Sequence, residues 1–426
     1  MTLSKRLVGA VFFTMILVSL WTPSPDMPGW LVPGRYAIYL GCAAIIMIAA
    51  YASRGVRVPF SSEAALMAAF MFYVVPSAVW STRDVDTYIK SILVLTTLLA
   101  ALSVSSLFDL DHTLNLVFSA VATFVVICVL VALFIPSIGV EDSWEHAGKW
   151  RGISGQKNGL GAASAQAFVM GIALPLRNRS NASSSLAAFW VRAVLVMVCA
   201  VATYMSGSRG AQMMAMIGLV SVVIALAPGL LQRLMLLSIP LLAIPIFNLA
   251  VSTFLIDADK IGIVGLTINT NSRTTIWEYG LRQMEGRELL GYGVNGFWTH
   301  ERMQAFKDVH GWVLDNFHNG YITIIVEGGL VGFMLLILAI GFTYLLLLVA
   351  IGSLKDRVLA AAFAFTNIFI ISNLVENVAG RSTSLSIIVI AIIAFSLRTY
   401  IAKVLAGTQT EFINHATKRQ PRLNPL

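Results

Sequence analysis

The chain has 426 residues, of which 58% are hydrophobic and only 12% are charged, and its mean hydropathy is +0.81. Soluble proteins carry roughly 25% charged residues, so this composition excludes a soluble globular protein and predicts one that folds in the lipid bilayer. The net charge of +8 does not indicate nucleic-acid binding, because the cations mostly flank hydrophobic segments, as topology signals do.

Apolar segments of nearly transmembrane length follow one another along the chain. A helical span needs about 20 predominantly apolar residues, and by that measure the sequence predicts an all-α integral membrane protein with about 12 spans. No small-residue cleavage site follows the first apolar run cleanly, so we expect an uncleaved span there. In chain order the predicted spans are Leu7–Trp21, Arg35–Tyr51, Ser62–Trp80, Ser91–Phe108, Leu114–Pro136, Gly159–Leu176, Leu186–Tyr204, Ala211–Ala227, Leu234–Leu255, Tyr321–Ile351, Leu359–Leu374 and Ser384–Tyr400.

The distribution of charge predicts the orientation, because cytoplasmic loops collect lysine and arginine. An even number of spans places both termini on one side, which carries Lys5, Arg6, Arg54, Arg57, Arg177, Arg179, Arg233, Lys355, Arg357, Arg398, Lys403, Lys418, Arg419 and Arg422. The other side carries most of the acidic residues, among them Glu141, Asp142 and Glu376. Both termini are therefore predicted to be cytoplasmic.

One long connection divides the chain. Residues 1–255 would form spans one to nine, 256–317 an extracytoplasmic helical loop domain, 318–400 spans ten to twelve, and 401–426 a cytoplasmic tail. A structureless connection of this length is uncommon in a compact protein, so the loop is expected to fold.

Two short helices are predicted within that loop. The first would be amphipathic, with Asn271 or Ser272 as its cap and Gly286 as its end, and the second would run from about Thr299 to Val309. Glycines between them permit a tight backbone path. Four aromatic residues, Trp277, Tyr292, Trp298 and Trp312, could stack on sugar rings or anchor at the membrane interface, and anchoring is the interpretation for most of them.

The stretch TYMSGSRGAQM is the first of four polar features on the extracytoplasmic side. It interrupts two apolar spans and would expose Ser206, Ser208 and Arg209 at the turn that opens the next helix. Unpaired N–H groups and the positive end of a helix suit an anion there. The alternative is a plain hairpin whose arginine reaches the lipid headgroups.

Two further basic features suit phosphate. Arg273 opens the predicted amphipathic helix, and an arginine can hold phosphate oxygens through two parallel hydrogen bonds; the alternative is a solvated surface charge. The stretch KWRGISGQKNGLGA leads into a span rich in small residues and carries Lys149, Arg151, Lys157 and Asn158. That cluster could attract a phosphorylated lipid or bind ordinary anionic headgroups.

The fourth feature is HNGYITIIVEGG, at the start of the tenth span. A histidine can act as a neutral base at ordinary pH, so His318 suits removal of a proton from a hydroxyl; a structural role is the alternative. Asn319 would help to shape the turn into the helix. Glu327 would fall on the opposite face of a continuous helix, about 13 Å further along, and is predicted to pair with another helix inside the bundle.

The motifs in this order resemble one family. TYMSGSRGAQM, NSRTTIWEYG with LLGYGVNGFW, and HNGYITIIVEGGLVG are arranged as in the O-antigen ligase / Wzy-type polymerase superfamily, and WRGISGQKNGLG resembles the same family's turn before a central span. The resemblance covers roughly Trp150–Phe333. The HNGYITIIVEGG and GQKNGLG stretches are most similar to exopolysaccharide polymerases of the ExoQ kind.

The resemblance implies a glycosyltransferase with a GT-C-like fold in the bacterial inner membrane. Such enzymes transfer a glycan from undecaprenyl pyrophosphate to an acceptor hydroxyl on the periplasmic side, without a cofactor.

The resemblance also implies a role for each candidate residue. His318 would be the base, and Arg209 and Arg273 would bind the pyrophosphate. The donor would also contact Arg151, Lys157 and Asn158, and the site would be supported by Ser208, Asn319 and Glu327. The partners would be the lipid-linked donor, a glycan acceptor, membrane lipids and polysaccharide chain-length and export proteins, with no nucleic acid. A polymerase would extend exopolysaccharide or O-antigen, whereas a ligase would transfer the glycan to lipid A-core.

Other chemistries stay open as alternatives. Asp84/Asp86, Asp109/Asp111 and Asp257/Asp259 offer oxygen ligands for a hard cation, but two arginines can neutralise pyrophosphate, so we expect no metal. The three cysteines lie in apolar runs without a spaced partner and predict neither disulfides nor zinc ligands. A transporter of polysaccharide or lipid-linked oligosaccharide would suit twelve spans, but the chain has no internal repeat. A scaffold subunit of an export complex is the remaining alternative.

Overall fold

The computed structural model describes most of the chain. The described residues are 3–22, 28–54, 61–81, 84–143, 146–176, 186–232, 234, 260–263, 266–269, 273–312, 314–381 and 383–418. The predicted ninth span, the caps Asn271 and Ser272, and Asp257 and Asp259 lie outside these ranges, apart from Leu234.

The described structure is dominated by long helices. They are α1 (Leu3–Leu20), α2 (Leu31–Arg54), α3 (Ser62–Tyr73), α4 (Asp84–Leu107), α5 (Leu110–Phe134), α6 (Lys157–Ala173), α7 (Leu186–Met205), α8 (Arg209–Leu226), α9 (Arg273–Arg282), α10 (His300–His310), α11 (Gly320–Ser353), α12 (Arg357–Val375) and α13 (Leu385–Lys418). Single helical turns lie at Pro76–Val79 and Pro136–Gly139. Strands β1 (Lys260–Ile263) and β2 (Leu266–Asn269) pair antiparallel, in a hairpin that the sequence did not predict.

Nine segments of the described chain are long and apolar enough to cross a membrane. They correspond to nine of the predicted spans, which confirms a multi-pass helical membrane protein. Two more predicted spans are also helices in the bundle, α1 and α6, of 18 and 17 residues. The total of twelve stays a prediction.

At one end of the bundle, basic side chains donate hydrogen bonds to the terminal carbonyls of two helices. The Lys355 ammonium donates to the carbonyl of Ala227, just beyond α8, and Arg357 Nε donates to the carbonyl of Ala173 at 2.9 Å. Terminal carbonyls lack partners within their own helix, and a cation also favours the negative helix end. Because α8 ends and α12 begins here, α8 begins and α12 ends at the opposite end, which we call the site end.

Residues 273–317 fold over the site end around an aromatic core. Tyr292 and Trp298 are each 4% exposed, and Phe297, Phe306 and Phe317 are fully buried. The interpretation of Tyr292 and Trp298 as interface anchors was therefore wrong. Their apolar surface is buried within the loop itself, where edge-to-face and tilted ring contacts join them to Phe297 and Phe317.

Helix α11 is broken at Gly329, whose φ of 61° and ψ of −170° are not helical. The inserted loop, defined here as residues 287–296, enters the break. Its Tyr292 and Gly293 N–H groups donate to the carbonyls of Val326 and Glu327 at 3.1 and 2.8 Å. The N–H groups beyond the break also find partners in the inserted loop: Leu330 donates to Glu288 at 2.8 Å and Val331 to Leu289 at 3.2 Å.

Side chains from α3, α4 and the turn between them bind the backbone of the same inserted loop. Trp80 Nε1 donates to the carbonyl of Leu290 at 3.1 Å, and the Thr87 hydroxyl donates to the carbonyl of Val294 at 2.8 Å. The Tyr73 hydroxyl donates to the carbonyl of Gly328 at 3.0 Å, beside the break. Irregular backbone at membrane depth requires such partners, because lipid supplies none.

Gly329→Ala is expected to destabilise the protein. A Cβ at residue 329 would overlap the carbonyl of Leu289, and its positive φ disfavours any L side chain. Backbone strain of this kind costs about 1–3 kcal/mol before the clash is counted, and the midpoint of thermal unfolding in detergent measures it.

Gly341→Ala is the matched control on the same helix. Residue 341 has ordinary helical backbone and no atom within 4 Å of the position that a Cβ would take, so its unfolding midpoint should stay at or above that of the wild type. Equal midpoints for the two variants would contradict the importance of the break.

Candidate functional site

His318 stands at the start of α11 in a strained backbone conformation. Its φ is 47°, one of two positive values among described residues other than glycine. The turn is held on both sides: the His318 N–H donates to Asn316 Oδ1 at 2.9 Å, and Asn319 Oδ1 accepts from the N–H groups of Tyr321 and Ile322 as the cap of α11. A strained backbone maintained by its surroundings is a common mark of a functional position.

Glu376, just beyond α12, faces His318. The distance from His318 Nδ1 to Glu376 Oε2 is 3.9 Å, and the two side chains are 36% and 25% exposed. The Gly320 N–H donates to the Glu376 carbonyl at 3.1 Å, which joins the two segments through their backbones. In the sequence, Glu376 stood out only as an acidic residue on the outer side. The pairing depends on the contact between α11 and α12, which no local pattern reveals.

Helix α9 packs against the residue that precedes His318. Trp277 Nε1 donates to the carbonyl of Phe317 at 2.8 Å, and the missing side chain of Gly280 leaves room for the Phe317 ring. Arg273, the first residue of this helix, is partly buried. Helix α9 ends at Arg282, one turn earlier than predicted, and the chain reaches Gly286 through a turn.

Tyr279 of α9 belongs to the aromatic core. Burial raises the pKa of its phenol above the ordinary value, so the group keeps its proton at physiological pH. Its hydroxyl donates to the carbonyl of Arg302, which ties α9 to α10. Its role is therefore to hold the loop together.

The SGSRG turn joins α7 and α8 at the site end. Ser208 caps α8 by accepting from the N–H of Ala211 at 3.4 Å, and Arg209 is exposed at the first helical position. Ser206 and Ser208 are only 0% and 6% exposed. The prediction that these serines are exposed was wrong, because α6 packs over them: a Cβ at Gly161 would lie 2.7 Å from Ser206 Oγ and 3.0 Å from Ser208 Cβ.

The loop before α6 docks on this turn, and Arg151 helps to hold the loop. The Trp150 N–H donates to the carbonyl of Met205 at 3.1 Å. Arg151 lies 3.6 Å from Glu141 and donates through Nε to the carbonyl of Ile138 at 2.9 Å. Glu141 also accepts from the backbone N–H of Lys157 at 3.0 Å. Arg151 is thus engaged within its own loop.

Lys149, which the sequence did not separate from its neighbours, extends across the SGSRG turn. A Cβ at Gly207 would lie 2.6 Å from Lys149 Cδ and 3.2 Å from its Nζ. Gly207 also has a φ of 60°, a backbone conformation that favours glycine. In the described structure neither Lys149 nor Arg209 makes an ion pair. At the start of α6, Lys157 is half-buried and Asn158 is exposed.

Glu327 lies on α11, two turns beyond the cap that follows His318, and contacts the inserted loop. Its carboxylate is 6% exposed and accepts from the N–H of Asn295 at 2.8 Å. Asn295 is the other described residue with positive φ outside glycine, at 57°. The pairing of Glu327 with another helix of the bundle stays a prediction, and the contact described here joins Glu327 to the inserted loop.

The structure therefore gathers the predicted residues into two groups at the site end. One contains Lys149, Arg209 and the start of α6; the other contains His318, Glu376 and helix α9 with Arg273. Helix α12 connects them, since it packs along α8 and ends beside His318. Among the described residues no group of three or more His, Cys, Asp or Glu side chains converges as metal ligands.

These observations define a class of protein: a multi-pass helical membrane protein whose folded loop lies over a polar end of the bundle. Residues 193–337 match the family model Wzy_C, described as O-antigen ligase. Over this part of the chain, the match supports the O-antigen ligase / Wzy-type superfamily that the motifs implied, and with it a ligase or polymerase type of function on lipid-linked glycans. Among curated proteins, no sequence matches the chain at a significant level.

Proposed function

We propose that this protein is a membrane glycosyltransferase that polymerises lipid-linked oligosaccharide repeat units on the periplasmic side of the bacterial inner membrane. The observation that carries the proposal is His318, which is held in a strained conformation beside Glu376 at the end of the bundle where Arg209 is exposed. A base and a cation at one end suit transfer from a pyrophosphate donor to a hydroxyl.

His318 is the proposed catalytic base. It takes the proton of the acceptor hydroxyl as that oxygen attacks the anomeric carbon, and the bond from this carbon to the pyrophosphate oxygen breaks. A single displacement inverts the configuration at that carbon. The lipid pyrophosphate leaves with the bonding electrons, so the reaction gains most from cations placed where this negative charge develops.

Arg209 and Arg273 are the proposed pyrophosphate ligands. An arginine suits this task because its planar guanidinium stays charged and can bind two phosphate oxygens at once. Lys149 joins Arg209 in the proposal, since it lies across the same turn and makes no ion pair in the described structure. Lys157 and Asn158 stay proposed donor contacts, while Arg151 supports the loop.

The finer features of the proposal follow from the superfamily. They are a GT-C-like fold with twelve spans, cytoplasmic termini, an undecaprenyl pyrophosphate-linked donor and a reaction without a metal. Chain-length and export proteins are the proposed partners. A ligase that transfers the glycan to lipid A-core is the second candidate, supported by the description of the matching family.

Surface glycans of a deletion strain test the choice between polymerase and ligase. If the protein is a polymerase, a gel of these glycans should show single repeat units or very short chains, because donor units are made but not joined. Long polymer that never reaches the lipopolysaccharide would instead establish the ligase. Wild-type glycans would overturn both assignments, and complementation with the intact gene controls for effects of the deletion on neighbouring genes.

A further inference from the structure

Glu376 is placed against His318 by several backbone contacts that do not involve its carboxylate. The Glu376 carbonyl accepts from Gly320, and Asn319 Nδ2 donates to the carbonyl of Leu374 at 3.2 Å. A Cβ at Gly380 would lie 2.7 Å from Thr323, one turn into α11. The segment after α12 is therefore attached to the start of α11 whatever side chain residue 376 carries.

The carboxylate itself has the imidazole as its ionic partner. It stands 3.9 Å from His318 Nδ1, an ion-pair distance about 1 Å longer than a good hydrogen bond. Catalytic hydrogen bonds are often long without substrate and shorten when substrate binds. The positive φ of His318 and the asparagine cap that follows it fix the backbone that carries the imidazole.

We infer that Glu376 is a positioning residue for His318, and this inference rests on the proposed function. Nδ1–H donates a hydrogen bond to the carboxylate and keeps its proton, which leaves the Nε2 lone pair free to face the acceptor hydroxyl. When Nε2 takes the hydroxyl proton, the imidazole becomes an imidazolium, and the adjacent negative charge stabilises it. The new bond joins the acceptor oxygen to the anomeric carbon, the pyrophosphate leaves, and the imidazolium then returns its proton to water.

A role limited to holding the fold predicts something different. The backbone contacts persist in any variant of residue 376, so loss of the carboxylate alone should then leave turnover unchanged. A positioning role instead lowers kcat and spares the binding of the donor, which the cations supply. Turnover and donor affinity therefore separate the two roles.

The test compares Glu376→Met with Glu376→Gln in the full-length protein, assayed for joining of lipid-linked oligosaccharides. Methionine keeps the length of the side chain but has no strong acceptor, whereas glutamine keeps an acceptor oxygen without the charge. We expect Glu376→Met to lower kcat by about tenfold to a hundredfold with a donor KM within about twofold of wild type. Glu376→Gln should regain part of that loss. Glu285→Ala, at an exposed carboxylate of the outer loop, should match the wild type.

His318→Ala is measured in the same assay, so that failure of the Glu376 inference can be distinguished from failure of the proposed function. A kcat within about twofold of wild type for Glu376→Met, when His318→Ala is inactive, overturns the inference and leaves the proposed function standing. A Glu376→Gln variant no faster than Glu376→Met also overturns it. Activity retained by His318→Ala overturns the base assignment and the positioning role together.

Discussion

His318→Ala is expected to lower the rate of glycan joining by about 10²–10⁴-fold, the range that a well-placed general base contributes. The physical reason is that a hydroxyl is a weak nucleophile until its proton is removed, and His318 is the base proposed at the site end. The protein should still fold, because the cap of α11 is Asn319 and the surrounding contacts are made by backbone groups. The measurement is the rate of the purified variant in detergent with lipid-linked substrate, beside the wild type. Full wild-type activity in excess chelator tests metal independence.

His300→Ala is the matched control for that experiment. His300 is exposed at the start of α10, away from the His318 turn, and its loss should change neither the rate nor the yield of folded protein. Donor binding should survive in His318→Ala, since the cations are intact. Near wild-type joining by His318→Ala would contradict the base assignment and bring back the transporter interpretation, in which the protein moves a glycan without forming a bond.

Arg209→Ala and Arg273→Ala are each expected to lower the rate by about 10²–10³-fold. Removing one preorganised group that stabilises charge developing in a transition state has a cost of this size. Lysine replacements should recover only part of the rate, because an ammonium keeps the charge but cannot bind two phosphate oxygens in one plane. The measurement is kcat/KM for the lipid-linked donor, together with donor affinity.

Arg282→Ala controls for a general loss of positive charge. Arg282 lies on the same helix as Arg273, but it is exposed and pairs with Glu278, so its removal should change the rate by less than twofold or so. Tolerance of the double variant Arg209→Ala/Arg273→Ala would contradict the transferase and favour a scaffold subunit of an export complex.

The broad architecture could be predicted well from the sequence because each transmembrane helix is specified locally. A run of about 20 apolar residues must form a helix in lipid, where the backbone has to satisfy its own hydrogen bonds. Helix α10 was predicted within one residue at each end, since Thr299 accepts from the N–H of Arg302 as its cap. The glycines at 291, 293 and 296 indicated a tight path but not its destination.

Which charged groups pair with one another could not be predicted from the sequence. Arg151 was predicted to contact the donor and Lys149 was only a member of the same basic stretch, yet Glu141 and the carbonyl of Ile138 engage Arg151 while Lys149 extends over Gly207. A basic cluster in a sequence shows charge but not pairing. Pairing depends on where each side chain points, and the packing of α6 against α7 and α8 determines that direction.

Composition, apolar runs and the ordered motifs were sufficient for the membrane class and indicated the superfamily that the match over residues 193–337 supports, because both rest on local chemistry along the chain. The partner of His318 and the path of residues 287–296 were decided by tertiary packing. Glu376 lies 58 positions after His318 in the chain and meets it only because α11 and α12 pack side by side. Glu327 lies only nine positions after His318, yet it stands inside α11, and its carboxylate accepts from the N–H of Asn295.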